Sequence, residues 1–527
     1  MIEKNKVKSG LISTLVKIDN RVNLLKEHIC SFARLRAKDN IKVEEEKMKR
    51  FFAMCMAMVL AFGMVGCNET VTPPSYASDE KFEIGMWVGI SDNLVIYDEN
   101  GQKVSSRPLT DDEFLEKYQE IADAGFTVAF PGYDVMNDGS ASYNMKALRA
   151  AHEVGIRHIL GDGTLRSYVM QAKTLYDSGA KTEEELVQGV KDIIEPYTTS
   201  EYADALYGFM IQDEPDASKF DAIAFGEKIF KQAAPDLMFY VNLFPVIAGG
   251  AQLSGSDEPI KYDSYLTQYF AKVKTDYVSY DHYPLYGDGV TTSIEASFLY
   301  NMDLMRAKID EEGEDRALWT FLQSIQYGGK NRALASKADA TFQAYSFLAY
   351  GGDCIQWFCY ACPPQNDGAT YFGNNALVDR NYEKTATYGY VQSANLDIQA
   401  MMPYYKNFDW KGIMISSVYD DTDNFGYLES SKFLLNSTRT VTKIESSEDA
   451  FSGVFEDKDG NEGYLVVNFT DPALDRSNQI TLSVADGYTH AIVVKNGESA
   501  VEKIKNGKLS FTMAAGEGYF VIPFANR

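Results

Sequence analysis

Short apolar runs alternate with longer amphipathic segments along most of the chain. In segments such as DDEFLEKYQEIADAG, from Asp111, apolar residues recur every three or four positions, the spacing of a helix with one buried face. The repeated alternation of strand and helix predicts an α/β fold, a parallel (β/α)8 barrel over residues 81–405. The apolar runs are FEIGMWVGI from Phe82, FTVAFPGY from Phe126, IRHILGD from Ile156, LYGFMIQDEP from Leu206, LMFYVNLFP from Leu237, DYVSYDHYP from Asp276, LWTFLQS from Leu318 and CIQWFCY from Cys354.

The pattern changes after the last predicted barrel helix. From residue 413, runs such as GYLVVNF and GYFVIPF alternate with turns rich in Gly, Asn and Asp. This spacing is typical of an antiparallel sandwich, so we predict an all-β domain over residues 413–527. An open doubly wound sheet is the alternative for the first domain. No glycine-rich phosphate loop follows the first apolar run, which favours the closed barrel.

The stretch MKRFFAMCMAMVLAFGMVGC begins at Met48 with two basic residues and runs through apolar residues to Cys67. This is the pattern of a bacterial export signal, and the run is too short for a membrane span. MVGC resembles a lipobox, which predicts a signal peptide over residues 48–66 and lipidation of Cys67. An ordinary signal peptide with a stray cysteine is the alternative. Residues 67–80 are predicted as a tether, and residues 1–47 as an upstream extension, with Met48 as an alternative start.

Charge and cysteine content limit the function classes. The formal net charge of -25 argues against nucleic acid as a partner, since phosphates would be repelled. After Cys67 only Cys354, Cys359 and Cys362 remain, too few for a disulfide framework. Cys359 and Cys362 have the spacing of a metal or redox pair but lack a second pair, so we expect them to be small residues that pack at a strand end. We predict no metal and no cofactor.

Polar and aromatic residues close most of the apolar runs. In a parallel barrel the C-terminal strand ends project into one shared cup, so these residues are predicted to meet there. Carboxylates, an amide, a histidine and aromatic rings together suit sugars, whose hydroxyls need acceptors and whose C–H faces stack on rings. The candidate residues are Trp87, Tyr133, Asp213, Glu214, Asn242, Asp281, His282, Tyr283, Gln323 and Trp357.

These strand ends resemble those of the clan A glycoside hydrolases, in which an Asn-Glu-Pro or similar triplet ends the fourth strand and a glutamate ends the seventh. The fourth run here ends QDEP, so the resemblance implies Glu214 as general acid/base beside Asp213. YDHYP is similar to the clan's His/Tyr-bearing strand, which corresponds to His282 and Tyr283 here, and Trp357 is similar to its sugar-stacking tryptophan. The resemblance implies hydrolysis of an O-glycosidic bond in an oligo- or polysaccharide, outside the bacterial membrane to which the lipid would anchor the protein.

The seventh run departs from this pattern, because Gln323 stands where the nucleophile would be. An amide cannot form a glycosyl ester, and a two-carboxylate mechanism needs a second acid. Either the run is misaligned, or Asp213 or Asp281 takes the second role, or the site binds sugar without cleaving it. The rival function is therefore a non-catalytic carbohydrate-binding lipoprotein on a degenerate barrel. A barrel hydrolase for a non-sugar substrate is a third alternative.

Two pairs of candidate residues also have purely structural interpretations. Asp213 and Glu214 directly precede a proline and a predicted helix, so they could cap that helix. Asp281 and His282 could form an ion pair within a loop. Helix capping accounts for one acid at the fourth strand but not for polar ends on the other strands.

The predicted anchor can be tested by Cys67→Ser. The variant should leave the membrane fraction and enter the soluble fraction, because the acyl chains would have no attachment site and the tether lies outside the folded domains. Fractionation after lysis measures this, with circular dichroism as the check on folding. Unchanged membrane association of the variant would contradict the lipoprotein prediction.

Overall fold

A computed structural model describes residues 71–98, 103–136, 139–313, 316–364 and 371–526. The predicted upstream extension, the signal peptide and Cys67 lie outside the described residues. Residues 73–527 form one compact unit. Within the described ranges, no helix combines the length and apolar character needed to cross a bilayer.

Eight parallel strands close into a barrel, as the apolar runs predict. Each run of the sequence pattern supplies one strand. Each barrel strand pairs with the next barrel strand along the chain, and the eighth pairs with the first. The strands are β1 (Glu83–Trp87), β4 (Val128–Ala129), β5 (Arg157–Gly161), β6 (Leu206–Asp213), β7 (Met238–Leu243), β8 (Tyr277–Asp281), β11 (Ala317–Gln323) and β12 (Cys354–Phe358).

Helices follow the barrel strands and cover the outside of the sheet. Several begin at a capping box, in which a hydroxyl accepts from the third helical N–H and an acidic side chain accepts from the capping residue's N–H; Thr110 with Glu113 is one example. The helices are α1 (Asp111–Asp123), α2 (Ala141–Val154), α3 (Gly163–Asp177), α4 (Glu183–Thr198), α5 (Phe220–Ala233), α6 (Gly250–Ser254), α7 (Tyr262–Lys272), α8 (Phe298–Glu312), α9 (Lys337–Ala349) and α10 (Ala386–Tyr405).

Two short hairpins interrupt this alternation at the C-terminal end of the barrel. One follows β1 and consists of β2 (Asn93–Tyr97) and β3 (Lys103–Pro108). The other follows β8 and consists of β9 (Leu285–Gly287) and β10 (Thr292–Ile294). The second hairpin begins four residues after Asp281 and therefore borders the cup, the space above the C-terminal ends of the barrel strands.

The C-terminal region is an antiparallel sandwich, which confirms the predicted all-β fold. A six-stranded sheet, in the order β13, β15, β16, β21, β18, β19, faces a three-stranded sheet, in the order β14, β17, β20. Apolar residues of both sheets form one core. The strands are β13 (Phe408–Ser416), β14 (Val441–Ser446), β15 (Ala450–Asp457), β16 (Glu462–Asn468), β17 (Asn478–Val484), β18 (His490–Lys495), β19 (Glu498–Lys503), β20 (Lys508–Met513) and β21 (Gly518–Phe524).

The larger sheet packs closely against α9 and α10. A Cβ at Gly453 would stand 2.1 Å from the carbonyl oxygen of Ala349, so only glycine permits this approach of strand and helix. Tyr405, at the end of α10, contacts the rings of Phe455 and Phe520, with centroids 5.4 and 6.0 Å away. The sandwich is therefore attached to the barrel by a buried apolar interface.

Candidate active site

Aromatic side chains fill the barrel directly below the cup. The ring of Trp87 lies 5.0 Å from Phe130, 5.2 Å from Phe321 and 6.1 Å from Tyr240, measured between centroids. Trp87 is 7% exposed. The predicted substrate-binding Trp87 is thus part of the apolar floor of the cup, beneath the polar residues.

Three neighbouring strands bring an amide and two carboxylates together at this floor. Nδ2 of Asn242, on β7, donates to Oδ1 of Asp213 on β6 and to Oδ1 of Asp281 on β8, both at 3.2 Å. Asn242 and Asp281 are buried, whereas Asp213 keeps an accessible face. The amide lies between two acids that would otherwise repel each other.

A hydrogen-bond chain from the barrel interior sets the orientation of this amide. Tyr240 donates to Oε1 of Gln356 at 2.6 Å, and Nε2 of Gln356 donates to Oγ of Ser279 at 3.0 Å. Ser279 in turn donates to Oδ1 of Asn242 at 2.9 Å. Because the amide oxygen accepts from Ser279, the amide nitrogen must face the carboxylates.

Glu214 follows the last residue of β6 and has a left-handed backbone, with φ of 46°. Such a conformation is uncommon for a residue with a side chain and occurs mainly where the surroundings impose it. Here the Glu214 amide donates to the carbonyl oxygen of Asn242 at 2.9 Å, and its carboxyl group is hydrogen-bonded to that of Asp281. Two carboxyl groups can bond only if one carries a proton, so this contact suits a protonated Glu214, whose pKa is raised by desolvation first and by Asp281 next.

The two acids do not cap the following helix, so the capping alternative is wrong. The side chain that accepts from the first turn belongs to Asp216, whose Oδ1 bonds the Ser218 amide at 3.1 Å. Glu214 and Asp213 are thereby left for the cup.

Burial raises the pKa of all three acids. Desolvation raises the pKa of Glu214 most, and the charges of Asp281 and Asp213 raise it further. Desolvation and the Asp213 charge also raise the pKa of Asp281. Desolvation raises the pKa of Asp213 to about 6, against the opposing effects of the Asn242 bond and the nearby Arg166. The site therefore combines an acid that is protonated at neutral pH with one that is ionised.

Aromatic rings form one wall of the cup. The ring of Tyr283 is 5.3 Å from both Tyr327 and Phe358, and Tyr327 is 5.7 Å from Phe358. Desolvation raises the pKa of Tyr327, and the charges of Asp281 and Glu214 raise it further. Tyr133 lies in a short 3-10 turn after β4 and is 38% exposed.

The structure does not bring Trp357 to the cup. Trp357 is completely buried and its Nε1–H donates to Asn395 on α10, at 2.9 Å, so it packs between the sheet and the helices. Strand residues alternate between faces, and Phe358 is the residue paired with Trp87 in the barrel register. The aromatic residue that closes the eighth strand toward the cup is therefore Phe358, one position from the one predicted.

His282 also lies away from the cup. It is 1% exposed, with Nε2 2.8 Å from Glu295 and Nδ1 3.1 Å from Asn301 on α8. His282 thus anchors the segment after β10 to the barrel, and its carboxylate partner is Glu295 rather than Asp281, the partner in the structural alternative.

Gln323 ends β11, as the sequence predicts, but all its hydrogen-bonding capacity is used within the protein. Oε1 accepts from the amides of Leu285 and Asn331, each at 3.1 Å. Nε2 donates to the carbonyl oxygens of Leu285 at 3.3 Å and Arg332 at 2.6 Å. Gln323 is completely buried. It fastens the loops that carry Tyr283 and Tyr327 and leaves no group for a substrate.

Sequence reasoning did not find Arg166, Tyr327 or Phe358. Tyr327 lies on a loop and Arg166 on α3, away from the strand ends, and no local signal in the sequence marks them. Phe358 could have been found from the period-two alternation of the strand. Across the described ranges, no group of three or more His, Cys, Asp or Glu side chains could hold a metal ion.

Comparisons with known proteins concern the architecture. No protein-family model and no curated protein matches the sequence. Solved structures with a similar fold include an α-amylase of Anoxybacillus, at 11% identity and a TM-score of 0.45 over 85% of this chain and 98% of that one. An α-amylase of Geobacillus thermoleovorans has 11% identity and a TM-score of 0.46, over 85% of this chain and 99% of that one. A GH30 endoxylanase of Clostridium papyrosolvens has 11% identity and a TM-score of 0.35, over 86% of this chain and 99% of that one.

The role of Gln323 can be tested by Gln323→Glu. A buried carboxylate would face the Leu285 and Arg332 carbonyl oxygens without a proton to donate, so unfolding free energy should fall by about 1–3 kcal/mol. Because burial would raise the folded pKa, the loss should grow as pH rises above about 4.3, where the unfolded glutamate ionises.

Urea titrations at pH 5 and 8 measure this effect. Gln171→Glu, at an exposed position on α3, is the matched control and should change stability little. A Gln323→Glu variant as stable as the parent at pH 8 would contradict the clamping role.

Proposed function

We propose that the protein is an exported glycosidase that cleaves an O-glycosidic bond in an extracellular oligo- or polysaccharide, with Glu214 as general acid/base. The observation that carries this proposal is the group of three acids, Asp213, Glu214 and Asp281, around Asn242 at the floor of an aromatic-walled cup. The signal pattern that ends at Cys67 supports action outside the cytoplasmic membrane, with the lipid as the only membrane contact.

The chemistry requires a proton at the leaving oxygen, because an alkoxide leaves poorly at neutral pH. Glu214 meets this need, since its raised pKa keeps it protonated. Asp281 contributes to that raised pKa through its charge and hydrogen bond. After the bond breaks, the Glu214 carboxylate can accept the proton of the attacking water.

The aromatic wall suits the apolar C–H face of a sugar ring. Tyr283, Tyr327 and Phe358 present ring surfaces on which the C–H face of a pyranose can stack. Asp213, with its accessible face, can accept from a hydroxyl or an N–H of the substrate. The carboxylates make the cup negative, which favours a neutral or cationic ring over a uronate or sulfated sugar.

A second candidate function is a carbohydrate-binding lipoprotein without activity. The observation that favours it is the structural use of Gln323 at the end of the seventh strand. The two candidates differ in one measurable property, the release of a leaving group from a bound glycoside.

Glu214→Gln tests the catalytic proposal. The substitution keeps the shape and removes the transferable proton, so kcat/KM should fall by about two to four orders of magnitude while sugar binding largely remains. Hydrolysis of aryl glycosides and calorimetric titration of oligosaccharides measure the two effects. Equal rates for variant and parent would refute the role of Glu214. Binding of sugar without cleavage by the parent would favour the carbohydrate-binding lipoprotein without activity.

The pH profile tests the link between Glu214 and Asp281. Since Glu214 must be protonated to act, activity should fall as pH rises through its raised pKa. Desolvation is the main cause of that pKa and remains in Asp281→Asn, but the charge of Asp281 is removed. The alkaline limb of kcat/KM should therefore move to lower pH in this variant.

Residual activity measured from pH 4 to 11 tests the shift. Asp134→Asn, at an exposed position in the turn beside Tyr133, is the control and should leave the alkaline limb in place. An unmoved limb in Asp281→Asn would mean that the two groups do not interact as described.

A further inference from the structure

The acids of the cup come from one side of the barrel. Asp213 and Glu214 close the fourth barrel strand and Asp281 closes the sixth, and all three meet around Asn242. At the seventh strand end stands Gln323, whose amide has no free donor or acceptor. In the described part of the cup, the seventh strand end therefore presents no nucleophile.

Neither two-carboxylate geometry fits the contact between Glu214 and Asp281. A retaining pair is separated by about 5–5.5 Å, so that the sugar carbon fits between, and an inverting pair by about 6.5–9.5 Å, so that a water fits as well. Carboxyl groups that share a hydrogen bond are closer than either separation. This contact keeps a proton on Glu214 at neutral pH but supplies no second group across the sugar ring.

We propose that the substrate itself supplies the nucleophile, as the 2-acetamido group of an N-acetylhexosaminide. This inference rests on the proposed glycosidase function and names its substrate class. Because an acetamido group can attack only the face opposite the leaving group, the substrates are 1,2-trans glycosides, such as the β-anomers of N-acetylglucosamine and N-acetylgalactosamine.

The steps balance without any further reactant than water. The acetamido carbonyl oxygen attacks C1, the bond from C1 to the leaving oxygen breaks, and that oxygen takes its electron pair and the proton of Glu214. The product is a five-membered oxazolinium ring fused to the sugar. Water then attacks C1 and gives a proton to the Glu214 carboxylate, and the ring opens to restore the acetamido group.

Asp213 is the group suited to hold the acetamido N–H. It keeps an accessible face to the cup, stands next to Glu214 in the chain, and is fixed by Asn242 at 3.2 Å. Its ionised form would accept from the N–H and stabilise the positive charge that develops on the oxazolinium ring. Asp281 is already committed to the Glu214 carboxyl group and to Asn242.

The first experiment compares aryl β-N-acetylglucosaminides and β-N-acetylgalactosaminides with the aryl β-glucosides and β-galactosides that lack the acetamido group. We expect kcat/KM to be at least about 100-fold higher for the acetamido substrates, since an intramolecular nucleophile is available only there. The thiazolines of both N-acetylhexosamines, stable mimics of the bicyclic intermediate, should inhibit competitively. Successive fluorination of the acetyl methyl group should slow cleavage, because it lowers the nucleophilicity of the acetamido carbonyl oxygen.

The second experiment uses Asp213→Asn. This variant should lose about 10²–10³-fold in kcat/KM toward acetamido substrates and bind the thiazolines less tightly. Asp134→Asn again serves as the control. A purely structural role for Asp213 would leave the dependence on acetyl fluorination unchanged.

The outcomes separate this inference from the function on which it rests. Cleavage of glycosides that lack the acetamido group, equally fast and abolished by Glu214→Gln, would keep the glycosidase proposal and overturn the acetamido inference. Cleavage of neither class would overturn both. Cleavage of acetamido substrates with no thiazoline inhibition and no effect of fluorination would also overturn the inference.

Discussion

The candidate site depends on one buried amide, that of Asn242. A barrel core is apolar, and three acids at its upper end are stable there only if their oxygens find donors and their charges are reduced. Asn242 donates to two of them, and Ser279, Gln356 and Tyr240 fix its orientation from below. Desolvation and the neighbouring charges raise the pKa of Glu214, and its protonation would relieve the remaining repulsion from Asp281. Closure of the barrel makes this possible, because it brings strands four, five and six side by side with their ends at one level.

The sandwich supports the loops that border the cup. Arg332, whose carbonyl oxygen accepts from Gln323, pairs with Asp339 at 2.6 Å and reaches Asp471 of the sandwich at 3.4 Å. On the other side, Asn424 accepts from the Leu299 amide and donates to the carbonyl oxygen of Glu295, the residue whose carboxylate contacts His282. The all-β domain therefore acts on the site through two loops, those after β8 and β11. This gives it a structural role in the cup that requires no sugar binding of its own.

The sequence predicts the barrel strands well because each is buried and carries a period that local reading can detect. It also places Asp213, Glu214, Asn242 and Asp281 correctly at strand ends, since a polar residue after an apolar run is visible in the sequence alone. The direction of a side chain is harder to predict. A one-residue difference in register exchanges Trp357 for Phe358, and His282 turns outward because Glu295 and Asn301, distant in the chain, offer it partners. Tyr327 and Arg166 reach the site from a loop and a helix, so only the folded chain reveals them.

The amide at the seventh strand end illustrates how one atom can separate two uses of the same position. A carboxylate there could attack a sugar carbon, but it could not donate to the Leu285 and Arg332 carbonyl oxygens that Gln323 now binds. An amide can donate to both and also accept two hydrogen bonds, so Gln323 holds the loops that carry Tyr283 and Tyr327. The same position then offers no carboxylate that could act as a nucleophile. Once the amide is committed in this way, any glycoside cleavage at the cup would need a nucleophile from elsewhere than the seventh strand end. Because Glu214 and Asp281 are in contact, a water held between these two carboxyl groups suits that role less well than the substrate group that we propose.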